Sequence, residues 1–288
     1  MPMDTLAKNK KRIVVPWDAR YAYSVTILAY VVSQLFTTLP LLVALFFMNW
    51  STIEDSLLDQ PWMSLSLTGV GAVGIFVVLY YFLHKKKYGF SQLKLQKGLP
   101  LKSLLLVAGT YIVYILLSVA VAAIVQALFP SFNADQEQLV GYKNAVGWQL
   151  ILAFVGLVVV PPIAEEMLFR GFLYQGLRDH WNKHATLWWG FGVAIAVALL
   201  AGAVAGIIVA LLIVVSIVIG KKHPARAAAI VTSVLFGLVH MQWNISIDTF
   251  IFSFALIYVF EKTQNLWAAI VLHALKNGIA FVGLFILS

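Results

Sequence analysis

Long apolar runs, separated by short polar connections, dominate this chain of 288 residues. A helix needs about 20 apolar residues to cross the hydrocarbon core of a bilayer. Runs of that order lie near 21–48, 64–83, 103–129, 147–163, 187–219, 227–243, 247–260 and 266–287. The pattern predicts an all-α, polytopic transmembrane bundle of about eight or nine helices. We divide this single membrane domain into three N-terminal spans with their loops in residues 1–146 and a core in residues 147–288.

The apolar run at residues 187–220 allows two interpretations. Basic residues flank it on both sides, so it should cross the membrane an even number of times. Its 34 residues are nevertheless short for two full spans. The small residues at 201–206 either open a tight hairpin or form the packing face of one long, tilted helix. We favour the hairpin.

The distribution of charge explains the formal net charge of +8 without invoking nucleic acid. Five basic residues at positions 8–20 precede the first span, and six at positions 85–102 follow the second. The loop between these spans contains acidic residues and no Lys or Arg. Because basic loops stay in the cytoplasm, we expect a multi-pass protein of the cell membrane with a cytoplasmic N-terminus.

Composition excludes several other classes of protein. With 61% hydrophobic and 11% charged residues, an ordinary soluble globule is nearly excluded. The absence of Cys excludes a disulfide framework, a thiol nucleophile and a cysteine-based zinc site. The GxGxxG pattern at Gly69–Gly74 lies inside an apolar span, where it indicates helix packing rather than dinucleotide binding.

The first polar cluster within the apolar runs is Pro161-Pro162-Ile163-Ala164-Glu165-Glu166, followed by Arg170. Adjacent prolines predict a break in the preceding helix and the start of a new one, with both carboxylates in its first turn. Glu166 and Arg170 are i,i+4 neighbours and should form an ion pair. Glu165 lies about 140° around the helix from Arg170 and should point elsewhere. A structural ion pair therefore leaves Glu165 unexplained.

Two further polar pairs follow. The first is Phe236-x-x-x-His240, and the second is His273-x-x-x-Asn277, whose two polar side chains share one helix face. Lys276 is turned about 100° from Asn277 and either pairs with a carboxylate or lies off the site. Taken alone, each pair is also compatible with ordinary hydrogen bonds between helices.

The depth of these residues connects the three clusters. At about 1.5 Å per residue from the nearest basic flank, Glu165, His240 and His273 lie roughly 20, 21 and 16 Å deep. Polar groups facing lipid separately would be uncompensated, so a shared polar cavity is the economical explanation.

A carboxylate with two imidazoles permits two hydrolytic mechanisms. In one, Glu165 and His240 activate a water while His273 and Asn277 stabilise the oxyanion. In the other, Glu165, His240 and His273 ligate a zinc ion whose bound water attacks. Both predict hydrolysis of a peptide bond inside the membrane, and they leave open whether the cofactor is zinc or whether water is activated without a metal.

In order and internal spacing, the motifs EExxxR, FxxxH and HxxxN at residues 165–277 resemble those of the CAAX prenyl protease and bacteriocin-processing family of intramembrane endopeptidases. The resemblance covers about residues 147–287, and residues 1–146 share only the presence of spans. It implies that Glu165 activates water with His240, while His273 and Asn277 form the oxyanion side. Glu166 and Arg170 would support the site. The chain departs from the family in its long apolar segment at 187–220.

The family resemblance leaves more than one function open. The expected substrate is a peptide or lipidated protein in contact with membrane lipid, with no role for nucleic acid. The alternative is a bacteriocin self-immunity or scaffold protein that keeps the fold and binds a membrane partner. A transporter with a proton relay is a weaker alternative, since the sequence shows no inverted repeat. Neither the substrate nor the oligomeric state follows from the sequence.

Overall fold

The structure is a computed structural model that describes residues 14–49, 53, 60–96, 98–130, 145–240 and 242–287. Within these ranges it contains nine principal helices and no strands, and eight of the helices are long and apolar enough to cross a membrane. The predicted all-α, polytopic bundle is therefore confirmed. The helices are α1 (Ala19–Ala44), α2 (Pro61–Lys85), α3 (Leu101–Leu128), α4 (Gln149–Asp179), α5 (Lys183–Ala201), α6 (Ala203–Gly220), α7 (Pro224–Leu238), α8 (Trp243–Thr263) and α9 (Leu266–Phe285).

The core of the bundle is formed by α4, α7, α8 and α9, and the first three helices pack around it. Helices α1 and α2 pack against each other and against α4, whereas α3 packs against α8 and α9. Glycines make the close approach of α1 and α2 possible, because a Cβ on Gly74 would lie 3.1 Å from the Cα of Ser33. The glycine-rich pattern in α2 thus serves helix packing, as its apolar context indicates.

Helix α4 differs from the sequence-based expectation. Its 31 residues run continuously through Pro161 and Pro162, so the predicted break at the prolines is wrong. A π-helical segment at Val155–Val159 precedes the prolines, and a second follows at Met167–Tyr174. The wider π turns accommodate residues that lack an amide donor without ending the helix. Glu165 therefore lies in the middle of a helix, and the helix-dipole argument for its position does not apply.

The apolar run at 187–220 forms the favoured hairpin. Helices α5 and α6 pack against each other and are joined at Gly202, whose φ is 98°. This backbone conformation is accessible to glycine and strained for other residues. Just after the turn, a Cβ at Gly206 would collide with Ala198, so small residues bring the two helices into close contact. The hairpin then packs through α6 against α7.

The connections predicted to be cytoplasmic meet at one end of the bundle. Arg178 at the end of α4 forms an ion pair with Glu261 of α8 at 2.6 Å. Nearby, the backbone amide of Val15 donates to Asp179 at 3.0 Å, and Lys94 donates to Gln264 at 2.5 Å. The basic flanks thus lie together, as the alternation of loops requires. Which side of the membrane this end faces stays a prediction.

Candidate active site

Glu166 and Arg170 form the predicted ion pair in the interior of the bundle. Both side chains are 0% exposed, and Arg170 Nη1 lies 2.8 Å from Glu166 Oε1. Arg170 Nη2 also donates to the hydroxyl of Ser253 in α8 at 2.7 Å, and the Nδ1 of His273 in α9 lies 2.9 Å from Glu166 Oε1. One buried pair on α4 therefore contacts both α8 and α9. Removing one partner should be strongly destabilising, because the other charge would remain buried without compensation.

Phe236 explains the aromatic position of the second motif. Its ring centroid lies 4.0 Å from the guanidinium of Arg170, a cation–π contact. The same ring packs edge-on against His240 at 5.2 Å and against His273 at 5.9 Å between centroids. The phenylalanine thus covers the buried cation and separates the two imidazoles at a fixed spacing.

A cavity of about 300 Å³ lies beside this core. Its lining includes the four proposed catalytic residues, Glu165, His240, His273 and Asn277. Glu165 Oε2 is buried and has no hydrogen-bond partner among the described residues. Glu165 is also close enough to His240 for their charges to interact. Glu165 therefore brings to the cavity wall a carboxylate that is not paired with Arg170, as the offset of five residues between them indicates.

The cavity wall is formed by α4, α8 and α9, together with His240 in the connection between α7 and α8. The rest of the wall is mostly apolar and comprises Leu157, Pro161, Ile245, Thr249, Lys276, Ala280, Phe281, Leu284 and Phe285. No residue of the described α5–α6 hairpin is among them. The long insertion therefore separates the motifs in sequence without entering the site.

Hydrogen bonds at Nδ1 determine what each imidazole can do at Nε2. His240 Nδ1 lies 2.9 Å from the carbonyl oxygen of Phe236, which can only accept, so Nδ1 carries the proton. In the neutral ring, Nε2 is then an acceptor suited to a general base. His273 Nδ1 faces the carboxylate of Glu166 in the same way. With Nδ1 donating to that carboxylate, His273 can donate from Nε2 to an oxyanion only in its doubly protonated form.

Asn277 is held by a backbone group of α4. Its Nδ2 donates to the carbonyl oxygen of Leu157 at 2.8 Å. A primary amide has two N–H donors, so the second remains for the cavity that Asn277 lines.

A second charged cluster, which the sequence analysis missed, lies next to the cavity. Lys276 Nζ is 2.7 Å from Asp248 Oδ2, so the lysine pairs with a carboxylate, one of its two predicted alternatives. Asp248 Oδ1 accepts hydrogen bonds from the hydroxyls of Tyr114 at 2.7 Å and Ser118 at 2.6 Å. An aspartate at the edge of an apolar run resembles a loop residue, but Lys276 at membrane depth was a signal that a partner was required.

Residues 1–146 also contribute to the surroundings of the site. Besides Tyr114 and Ser118 of α3, the hydroxyl of Tyr30 in α1 donates to the carbonyl oxygen of Val239 at 3.2 Å, next to His240. Tyr30 is also close enough to Glu165 for an electrostatic interaction. A hydroxyl residue on an apolar span is common in helix packing, so the sequence offered no signal for these contacts.

The zinc alternative requires Glu165, His240 and His273 to converge on one point. Across the described ranges, no group of three or more His, Asp or Glu side chains is placed to hold a metal ion. The residues as arranged do not fit a zinc ion, and the mechanism below uses only side chains and water.

The chain is similar to a known family in its second half. Residues 147–279 match the model of a family described as type II CAAX prenyl endopeptidase Rce1-like. The matched segment runs from the residues just before α4 into α9, so it includes every residue of the three motifs. No match was found among curated proteins or among solved structures.

Proposed function

From the premise that residues 147–279 form a domain of the Rce1-like family of type II CAAX prenyl endopeptidases, we propose that this multi-pass membrane protein is an intramembrane endopeptidase. Its substrate is a peptide bond in a lipidated or membrane-associated peptide or protein. The observation that carries the proposal is a single cavity lined by the carboxylate of Glu165, two imidazoles and an amide.

In the proposed mechanism, Glu165 and His240 bind and polarise one water molecule. As the water oxygen attacks the scissile carbonyl carbon, its proton passes to this pair, and the carbonyl oxygen acquires negative charge. The free N–H of Asn277 and the imidazolium of His273 donate hydrogen bonds to that oxygen. The proton held by the pair then passes to the amine as the C–N bond breaks, which gives a carboxylic acid and an amine.

The buried core supports this chemistry by fixing the positions of the donors. Glu166 and Arg170 do not line the cavity, but Glu166 orients His273, and Arg170 orients Glu166. Donors that are positioned before the reaction stabilise the developing charge without reorganising. The family match and this arrangement support hydrolysis over the self-immunity or scaffold alternative, which does not require a carboxylate with an unpaired oxygen.

The test is a cleavage assay with purified protein in lipid bilayers, using a peptide with and without a prenyl group. We expect Glu165→Gln and His240→Ala each to lower the cleavage rate by about 10²–10⁴-fold, the usual contribution of general acid–base catalysis. The matched control is His84→Ala at the end of α2, away from the cavity, which should retain full activity.

Two further arms complete this experiment. Unchanged thermal unfolding of the Glu165 and His240 variants would show that the loss is chemical rather than structural. A chelator should leave the rate of the wild-type protein unchanged. Full processing by Glu165→Gln would refute the proposed mechanism, and no cleavage by wild-type protein of either peptide would favour the binding alternative.

A further inference from the structure

The carbonyl of Leu157 cannot form an ordinary helical hydrogen bond. In an α-helix this oxygen would accept from residue 161, and in a π-helix from residue 162. Both positions are proline and have no N–H. The remaining neighbour, Val160, donates its amide to Val155. All three nearby backbone donors are therefore absent or engaged, and Leu157 is one of the residues that line the cavity.

Asn277 supplies the missing donor from another helix. Its Nδ2 lies 2.8 Å from the Leu157 oxygen. Because a carbonyl oxygen only accepts, this bond determines which end of the planar amide faces α4. Because both N–H groups lie in the plane of the amide, this bond also fixes the direction of the second N–H.

We propose that Pro161 and Pro162 are positioning residues that keep the Leu157 carbonyl free so that it orients Asn277 toward the substrate oxyanion. The inference rests on the proposed function for its catalytic consequence, whereas the hydrogen-bond geometry stands independently of it. The double proline thus has a role beyond local helix shape. The next carbonyl, that of Val158, keeps a possible π-helical donor, because residue 163 is not proline.

The test replaces both prolines together, as Pro161→Ala/Pro162→Ala. Restored amide donors should draw the Leu157 carbonyl back into the helix and release Asn277. We expect thermal stability to stay the same or rise, because proline is unfavourable in a helix interior, while kcat falls toward that of Asn277→Ala and KM changes little. A merely structural role for the prolines would lower stability and activity together.

A double-mutant cycle separates the two explanations further. When combined with Asn277→Ala, the proline replacements should lower kcat no further, because both changes remove the same donor. Two results would overturn the proposal. One is a loss of kcat in the combined variant equal to the product of the separate losses, and the other is full kcat in Pro161→Ala/Pro162→Ala. The matched control is Pro40→Ala, which replaces a helix-interior proline in α1 and should leave kcat unchanged.

A spectroscopic readout tests the hydrogen bond without relying on activity. In protein labelled with ¹⁵N-asparagine, the side-chain amide signal of Asn277 is identified by its loss in Asn277→Ala. That signal should shift in the double proline variant and stay in place in Pro40→Ala. An unmoved signal in the double proline variant would refute the proposal. A shifted signal in protein that cleaves nothing would leave the geometry supported and refute the proposed function instead.

Discussion

The two ion pairs at the core of the bundle differ in how they are enclosed. Glu166 and Arg170 are one turn apart on α4 and are 0% exposed. Asp248 and Lys276 join α8 to α9, and their side chains are 10% and 18% exposed, with Lys276 on the cavity wall. When one partner of a fully buried pair is lost, the remaining charge has no water to solvate it. When the pair borders a cavity, the remaining charge can be partly solvated there. We therefore expect the first pair to depend strictly on both partners, whereas Lys276 of the second pair lines the cavity and should tolerate the loss of its partner better.

The largest expected effect is that of Arg170→Met. This replacement leaves the Glu166 carboxylate buried without its cation, and we expect a loss of about 3–5 kcal/mol in the free energy of unfolding together with loss of activity. Thermal unfolding in detergent measures the change. Removing both charges in Glu166→Gln/Arg170→Met should restore part of the stability but not the activity, because His273 loses its orienting carboxylate. Normal stability and cleavage in Arg170→Met would contradict the pairing.

A smaller effect is expected for Asp248→Asn. The asparagine oxygen can still accept from the hydroxyls of Tyr114 and Ser118, and Lys276 reaches the cavity. We expect a loss of about 1–3 kcal/mol, measured in the same unfolding assay. Lys276→Met provides the matched comparison. It leaves Asp248 with two hydroxyl donors, so we expect it to be no more destabilising than Asp248→Asn. A loss equal to that of Arg170→Met would show that cavity access makes no difference.

The smallest effect on stability and activity is expected for variants that test the orientation of the chain in the membrane. Neither ion pair determines that orientation. The chain has no cysteine, so single-cysteine variants can be labelled with a membrane-impermeant reagent in intact cells without further changes. From the basic flanks we expect Leu58→Cys, which lies outside the described residues, to be labelled from outside, and Lys85→Cys to be protected. Neither variant should lose activity. The reverse pattern of labelling would invert the predicted topology.

Local sequence predicted those features that depend on one helix at a time. Apolar runs gave the helices, and the i,i+4 spacing gave the Glu166–Arg170 pair and the shared face of His273 and Asn277. The predicted helix break at Pro161 and Pro162 was wrong. The π turn that accommodates these prolines packs against α2 and α9, and such packing does not follow from local propensity.

Contacts between distant helices were beyond the reach of local patterns. The partner of Lys276 is 28 residues away on another helix, and the contacts from α3 are 130 residues or more away from Asp248. Likewise, the bond from His273 to Glu166 joins residues 107 positions apart. The spacing of residues within one segment of the chain cannot predict such pairs. A charge within the membrane does indicate that a partner exists, because an uncompensated charge there is costly.

The turn at Gly202 divides the chain between the first motif and the other two. Residues 1–201 contain Glu165, whereas residues 203–288 contain His240, His273 and Asn277, and the turn lies away from the cavity. Opening the backbone at this exposed tip would yield two fragments, neither of which holds all four of the proposed catalytic residues. If the two fragments reassemble in one bilayer, cleavage of the peptide substrate should return. A split at Gly202 would therefore allow the assembly of the bundle to be followed by its activity.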